Sequence, residues 1–422
     1  MGLVSRHRKL FIILLVVVVL AGVKRPVEKW IRAIVYDNTP RDTISVSNTI
    51  PDQVCLTWNE DPKTTLAVQW RTSMEIENGV VEYYLADASE GLLWTVEAQH
   101  VTLADPIVVN DPYNRRFSAH IAGLKPDTSY SYRVGDPGTE SWSDWFEFST
   151  APSDPETFSF LYLGDVQEGF EDWGELQHLA WENHPEAAFC LIAGDLVNRG
   201  NDRDEWDAFF YFDNNYFAYN PLIPALGNHE YPRGDEPKFY HDLFSLPKNG
   251  PASIPEERAY YFTYSNALFV VLDSNLSIAD QTPWLETVLS ESEAVWKFVM
   301  YHHPAYSSRT VRDNPDIRKY WTPLFDKYEV DIVFQGHDHA YMRTPPIRNH
   351  EIMESPDEGV IYIISNAGTK FYRQDDNKYI EVGFEEAVMY QTIDIDNGDT
   401  HQLTYQAYDA TGALRDRFHI EK

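Results

Sequence analysis

Five short stretches carry the side chains that could do chemistry. They are "LGDVQ" with Asp165, "AGDLVN" with Asp195, "LGNHE" with Asn228 and His229, "YHHPAY" with His302 and His303, and "GHDHAY" with His337 and His339. Carboxylates, imidazoles and an amide oxygen, with no thiolate among them, suit borderline divalent or trivalent metal ions. Each motif alone also reads as a polar turn, and an isolated pair like His337 and His339 reads first as surface histidines. Their shared setting argues for more. Every one follows an apolar run, and four of the five stand just after a glycine. Glycine there lets the chain leave a strand tightly and approach an ion closely. Two such ions, roughly 3.5–4 Å apart, can hold a phosphate between them and stabilise an in-line displacement.

The elements that must position these residues are legible as apolar runs. "FSFLYLGD", "AAFCLIAGD", "PLIPALGNHE", "YFTYSNALFVVLDS", "WKFVMYHHP", "VDIVFQGHDH" and "GVIYIISNAG" read as strands, with "WGELQHLAWENHP" and "QTPWLETVLSES" as helices between them. Strands alternating with helices predict an α/β (α+β layered) domain over 151–422, a β-sandwich flanked by helices that gathers its ligands at strand C-termini. "AVMYQTIDID" and "HQLTYQAYDATG" close the chain as an antiparallel pair.

Upstream, 51–150 shows short runs alternating with period two and no helical period, with turn signals at Asn78-Gly79 and Asp136-Pro137-Gly138. That pattern predicts a small all-β sandwich. It resembles a fibronectin type III-like module, with Trp70 as a core aromatic and Tyr130 in "GLKPDTSYSYRV" as a tyrosine corner. "TAPSDPET" reads as the linker to the second domain.

With 422 residues the chain is long enough for two domains, and 43% hydrophobic content supports packed cores. Thirty-four basic against 66 acidic residues give a formal charge of −32, which repels polyanions and argues against a nucleic-acid partner. Cys55 and Cys190, the only two cysteines, fall in different predicted domains and read as small buried hydrophobes. At the N-terminus a basic patch (Arg6, Arg8, Lys9) precedes an apolar run from Leu10 to Val23, then Lys24 and Arg25. Residues 1–25 therefore read as an export segment, either a signal cleaved near Val19-Leu20-Ala21 or an uncleaved membrane anchor. Residues 26–50 read as a stalk. The expected location is extracytoplasmic, secreted or held to the membrane by the N-terminus.

The order GD, GD, GNHE, HxP, GHxH resembles the calcineurin-like metallophosphoesterases, and more narrowly the purple acid phosphatase branch. The similarity runs from residue 53 to 422 and includes the N-terminal β module. It implies one metal held by Asp165 and His339, a second held by Asn228, His302 and His337, and Asp195 bridging both. The pair would be drawn from Fe, Zn or Mn. It further implies that His229 lies beside the phosphoryl group, that His303 is a supporting donor, and that a metal-bound hydroxide attacks phosphorus. The reaction it suggests is hydrolysis of small phosphate monoesters. A phosphodiesterase or nucleotide pyrophosphatase would use the same ligands. A non-catalytic binding protein, with its β module carrying adhesion, is the reading from another class.

Two positions depart from the pattern. The purple enzymes place a tyrosine three residues after the bridging Asp, where this chain has Asn198. Other branches place a histidine two residues after the first Asp, where this chain has Gln167. Either amide could donate an oxygen to the first metal or simply bond within its turn.

Overall fold

Alternation of inward apolar and outward polar residues folds the first module into nine strands. These are β1 (Asp52–Thr57), β2 (Thr65–Thr72), β3 (Val80–Leu85), β4 (Trp94–Glu97), β5 (Gln99–Ala104), β6 (Tyr113–Ala122), β7 (Ser129–Asp136), β8 (Ser141–Trp142) and β9 (Phe146–Ser149). In this computed structural model, which describes residues 39–87, 92–231, 234, 236–398 and 400–422, they form two sheets. One runs β1-β2-β6-β5; the other runs β4-β3-β7-β8, with β9 also on β7. Trp70 is fully buried and stacks on Phe117 at 5.3 Å. The Lys125 amide donates to the Tyr130 hydroxyl at 2.9 Å, the expected tyrosine corner. Cys55 and Cys190 are buried free thiols.

The segment expected as a stalk is corrected where it is described. Residues 39–50 lie against the protein because their polar groups find fixed partners. The Arg41 amide donates to Ile107 O, the Val109 amide donates to Arg41 O, and the Thr43 hydroxyl donates to Asp207 at 2.7 Å. The apolar run at 10–23 lies outside the described residues. Among those described, no helix is long and apolar enough to cross a membrane.

The second part is two facing sheets. The first contains β10 (Phe158–Leu163), β11 (Ala187–Ile192) and β12 (Leu222–Pro224), parallel to one another, continued by antiparallel β22 (Met389–Asn397), β23 (His401–Asp409) and β24 (Leu414–Glu421). The second runs β13 (Tyr260–Tyr264), β14 (Ala267–Val271), β15 (Trp296–Met300), β16 (Ile332–Gln335), β20 (Ile361–Ile364), β17 (Tyr341–Arg343) and β21 (Val382–Phe384). A short hairpin, β18 (Ile347–Arg348) with β19 (Glu351–Ile352), stands apart. "YFTYSNALFVVLDS", read as one strand, is the antiparallel pair β13 and β14, because Ser265 turns the chain at φ 52°.

Phenylalanines fill the space between the sheets. Phe160 of β10 stacks on Phe189 at 5.2 Å and meets Phe269 and Phe298 of the other sheet edge-on at 5.2 and 5.4 Å. Helices cover the outer faces. On the first, α1 (Phe170–Asn183) and α2 (Arg203–Asp213) pack through Trp173 and Phe209. On the second, α4 (Ile278–Glu291), α5 (Pro315–Tyr320) and α6 (Thr322–Lys327) bury Leu285, Leu289, Trp321 and Phe325 against Leu268, Val299 and Val333. A short α3 (Lys238–Leu243) precedes β13. This is the layered α/β sandwich flanked by helices. Since β10 to β12 run parallel, as do β14 to β16, each sheet presents several strand C-termini along one rim.

Candidate metal centre

The five motif loops leave β10, β11, β12, β15 and β16 and converge. His302 Nε2 lies 3.1 Å from Asp195 Oδ2, 3.2 Å from Asn228 Oδ1 and 3.2 Å from His337 Nδ1. His339 Nε2 lies 3.2 Å from Asp165 Oδ2, and Asp165 Oδ1 lies 3.7 Å from His302 Nδ1. Ligand-capable atoms thus form two groups, each within 4.8 Å: Asp165, Asp195 and His339, and His302, His303 and His337.

Protonation makes this a cation site. His302 Nδ1 bonds the Ala193 carbonyl at 2.9 Å, and a carbonyl only accepts, so Nδ1 carries the hydrogen. In the neutral ring Nε2 is then a bare lone pair facing a carboxylate oxygen, an amide oxygen and another imidazole nitrogen. His339 Nδ1 likewise faces the Lys370 carbonyl at 3.2 Å, leaving Nε2 toward Asp165. Ligands about 2.0–2.2 Å from one ion stand about 3.0–3.5 Å from each other. The donor spacings fit that geometry. Without a metal the same crowding falls on protons. Burial lowers His302, but Asp195 and Asp165 more than offset it and raise it to about 9. Burial raises Asp195, yet His302 and His229 hold it far below the carboxylate range. Burial, aided by the neighbouring His302 charge, pushes His337 well down; burial, aided by Lys370, takes His339 to about 3, and both rings stay neutral.

The loops are held under strain. Gln167, Asp195, His337 and His339 all have positive φ, 40°, 53°, 74° and 45°, in the region non-glycine residues rarely occupy. Glycine precedes the ligands for steric reasons too. A Cβ on Gly227 would come within 2.2 Å of Asp195 Oδ1, and one on Gly336 within 2.1 Å of Asp165 Oδ1.

His229 enters from the open side, 26% exposed, its Nε2 4.0 Å from Asp195 Oδ2 and its Nδ1 on the Asn198 carbonyl. His303 bonds Ser274 Oγ at 2.9 Å, and its ring lies 4.4 Å from that of His337. Gln167 turns its amide nitrogen to Asp195, while its oxygen accepts from Lys370 at 2.9 Å. Asn198 contributes its backbone carbonyl, to His229. Tyr231 and Tyr341 direct their hydroxyls elsewhere, to Asp273 and Asp416.

Two acids missed in the sequence reading hold the loops. Glu230, fully buried, accepts the amides of Asp195, Leu196, Val197 and Gly227 at 2.9, 2.9, 3.4 and 2.7 Å. Asp338 accepts from Ser307 and Ser308 and pairs with Arg312 at 3.1 Å. Each sits inside a ligand motif, "GNHE" and "GHDH", and an acid wedged among ligands was the available signal.

Comparison with known proteins follows this geometry. Residues 51–150 match the family described as Purple acid Phosphatase, N-terminal domain, and 158–341 match Calcineurin-like phosphoesterase. The chain is 27% identical over 377 residues to purple acid phosphatase 1 of Ipomoea batatas, covering 84% of this chain and 72% of that one. It is 28% identical to the Fe(3+)-Zn(2+) purple acid phosphatase 12 of Arabidopsis thaliana, covering 71% and 66%. It also matches an uncharacterized protein of Mycobacterium tuberculosis at 28% identity, spanning 62% of that protein's length and 69% of its own. Among solved structures, a purple acid phosphatase from yellow lupin (Lupinus luteus) shares the fold at TM-score 0.76 and 18% identity, over 89% of this chain and 75% of that one. The candidate donors form two groups, Asp165, Asp195 and His339, and His302, His303 and His337.

Proposed function

Since the chain belongs to the calcineurin-like phosphoesterases and carries the N-terminal domain of purple acid phosphatases, we propose that it hydrolyses phosphate monoesters at a dinuclear metal centre. In this reading Asp165 and His339 hold one ion, Asn228, His302 and His337 hold the other, and Asp195 serves both. The observation that carries it is the meeting of metal-capable side-chain atoms from five loops around Asp195 and His302. Bound there, the two ions supply the positive charge a phosphoryl group needs while a P–O bond breaks.

The chain's own groups do the rest. His229, with Nδ1 committed to the Asn198 carbonyl, keeps Nε2 toward the open side to steady a phosphoryl oxygen or protonate the leaving oxygen. His303, tied to Ser274, steadies the rings of His302 and His337. Export, by a cleaved signal or an uncleaved anchor, rests on the apolar run at 10–23.

The test is metal analysis of purified protein, then a panel of monoesters and diesters with each metal added back. Two ions per chain and faster turnover of monoesters are expected. Asp195→Asn should lose metal and several orders of magnitude in turnover. A variant keeping two ions and near-normal turnover overturns the assignment, and diesters turned over faster than monoesters overturn the substrate class.

A further inference from the structure

Lys370 brings to the centre a positive charge that no step above uses. Its Nζ donates to Gln167 Oε1 at 2.9 Å, and Gln167 Nε2 donates to Asp195 Oδ2. Through its backbone, the Lys370 carbonyl accepts from His339 Nδ1 at 3.2 Å. One residue is thus bonded toward two of the three donors in the group Asp165, Asp195 and His339. Among the described residues no carboxylate stands within 4.0 Å of this ammonium, the reach of an ion pair.

The Gln167 amide has one orientation here. An ammonium only donates and a carboxylate only accepts, so the flipped amide would set N–H against N–H and oxygen against oxygen. Gln167 is 1% exposed and held at φ 40°, which leaves its side chain little room to quit this bridge. Its oxygen, the amide atom that could ligate a cation, is therefore taken by Lys370. Asn198, the other position that departs from the family pattern, gives its backbone carbonyl to His229. The ion held by Asp165 and His339 then meets one carboxylate of its own, a second shared through Asp195, a neutral imidazole, and an ammonium nearby.

We propose that Lys370, acting through Gln167, biases that ion toward a divalent charge and against a trivalent one. Zn²⁺, Mn²⁺ and Fe²⁺ are favoured, and iron(III) is disfavoured. The 2.9 Å contact, the width of the amide and the second hydrogen bond place Nζ no more than about 7 Å from Asp195 Oδ2. Unit charges about 7–10 Å apart, at an effective dielectric of about 20, change a binding constant roughly tenfold to fiftyfold. That factor is what the third unit of charge on a trivalent ion loses to Lys370. The inference rests on the dinuclear reading above.

The test loads the whole chain with iron and measures the midpoint potential of the centre by redox titration, followed by electron paramagnetic resonance. Lys370→Met should lower that potential by about 60–100 mV, the same factor read through one electron. In citrate-buffered competition it should raise the affinity of the first site for Ga³⁺ over Zn²⁺ by roughly tenfold to fiftyfold. Lys370→Arg keeps the charge and should stay within about 20 mV and about twofold of wild type. An unshifted Lys370→Met, a Lys370→Met that no longer takes up iron, or an equal fall in Lys370→Arg overturns the inference. Wild-type protein that takes up none of these ions overturns the metal-centre reading beneath it, and the inference falls with it.

Discussion

Replacing Glu230 with Gln isolates what the buried acid contributes. One carboxylate oxygen accepts the Asp195 and Gly227 amides, the other those of Leu196 and Val197. Burial and the Asp195 charge push this carboxyl up to about 8, against the pull of the amides. A glutamine of the same shape must turn its NH2 toward one pair of donors, leaving two buried N–H groups facing another donor. Each orphaned buried donor costs about 1–3 kcal/mol. Easier burial of a neutral group offsets part, so a net loss of about 2–4 kcal/mol is expected. For a chain of 422 residues that lowers the thermal midpoint by about 2–5 °C. Either orientation loosens the loop carrying Asp195, so bound metal should fall as well. Thermal unfolding with metal analysis on the same preparations checks both. An unchanged midpoint together with two retained ions refutes the reasoning, because the four amide contacts would then contribute nothing.

His229→Ala should lower turnover by roughly 10²–10⁴, the range for a lost general acid, with metal content unchanged; loss of metal would instead make His229 a ligand. Protein reconstituted with iron in air should show no strong visible band, because Asn198 replaces the tyrosine ligand and Tyr231 and Tyr341 are bonded elsewhere. Asn198→Tyr should gain such a band in its absorption spectrum. Burial pushes the Asp213 carboxyl up to about 8 against donors from Phe217 and Gln177. The folded state then binds the proton more tightly than the unfolded one between about pH 4 and 8, so this contribution is present in acid and lost as pH rises. Asp213→Asn should gain on the wild type from pH 5 to pH 8, on the order of 2–4 kcal/mol by urea unfolding.

The donor residues could be read from the chain because each stands where an apolar run stops, and a strand buried on both faces can stop only a few ways. Asp165, Asp195 and His337 follow glycines whose missing side chain is what lets the loops meet. Glu230 and Asp338 stand inside the ligand motifs, but most of the groups they hold lie on other loops, and no local pattern reports which ones. The partners of Glu230 lie 3 to 35 residues away. The pinned amide of Gln167 depends on Lys370, 203 residues on, and no periodicity reports such a pairing. The β13 and β14 hairpin was hidden because both strands are apolar and Ser265 and Asn266 make a weak turn signal.

The packing of the N-terminal sandwich bears on the reading that made it a separate adhesion module. Arg71, buried in β2, donates to Asp207 of α2 at 2.7 Å, and Gln53 and Thr43 donate to the same carboxylate. One residue before Asp207, the Trp206 indole donates to the Gly200 carbonyl, and the Gly200 amide donates to the His229 carbonyl at 2.8 Å. The loop between Asp195 and α2 is therefore bonded to His229 at one end and to the sandwich through α2 at the other. Arg71 also pairs with Asp52, and Asp207 with Arg203 at 3.4 Å, so the contact is one link of a buried ion-pair network between the two domains. A module joined this way acts as a brace for the loop that carries Asp195, and its contacts stabilise the same geometry on which the metal centre depends.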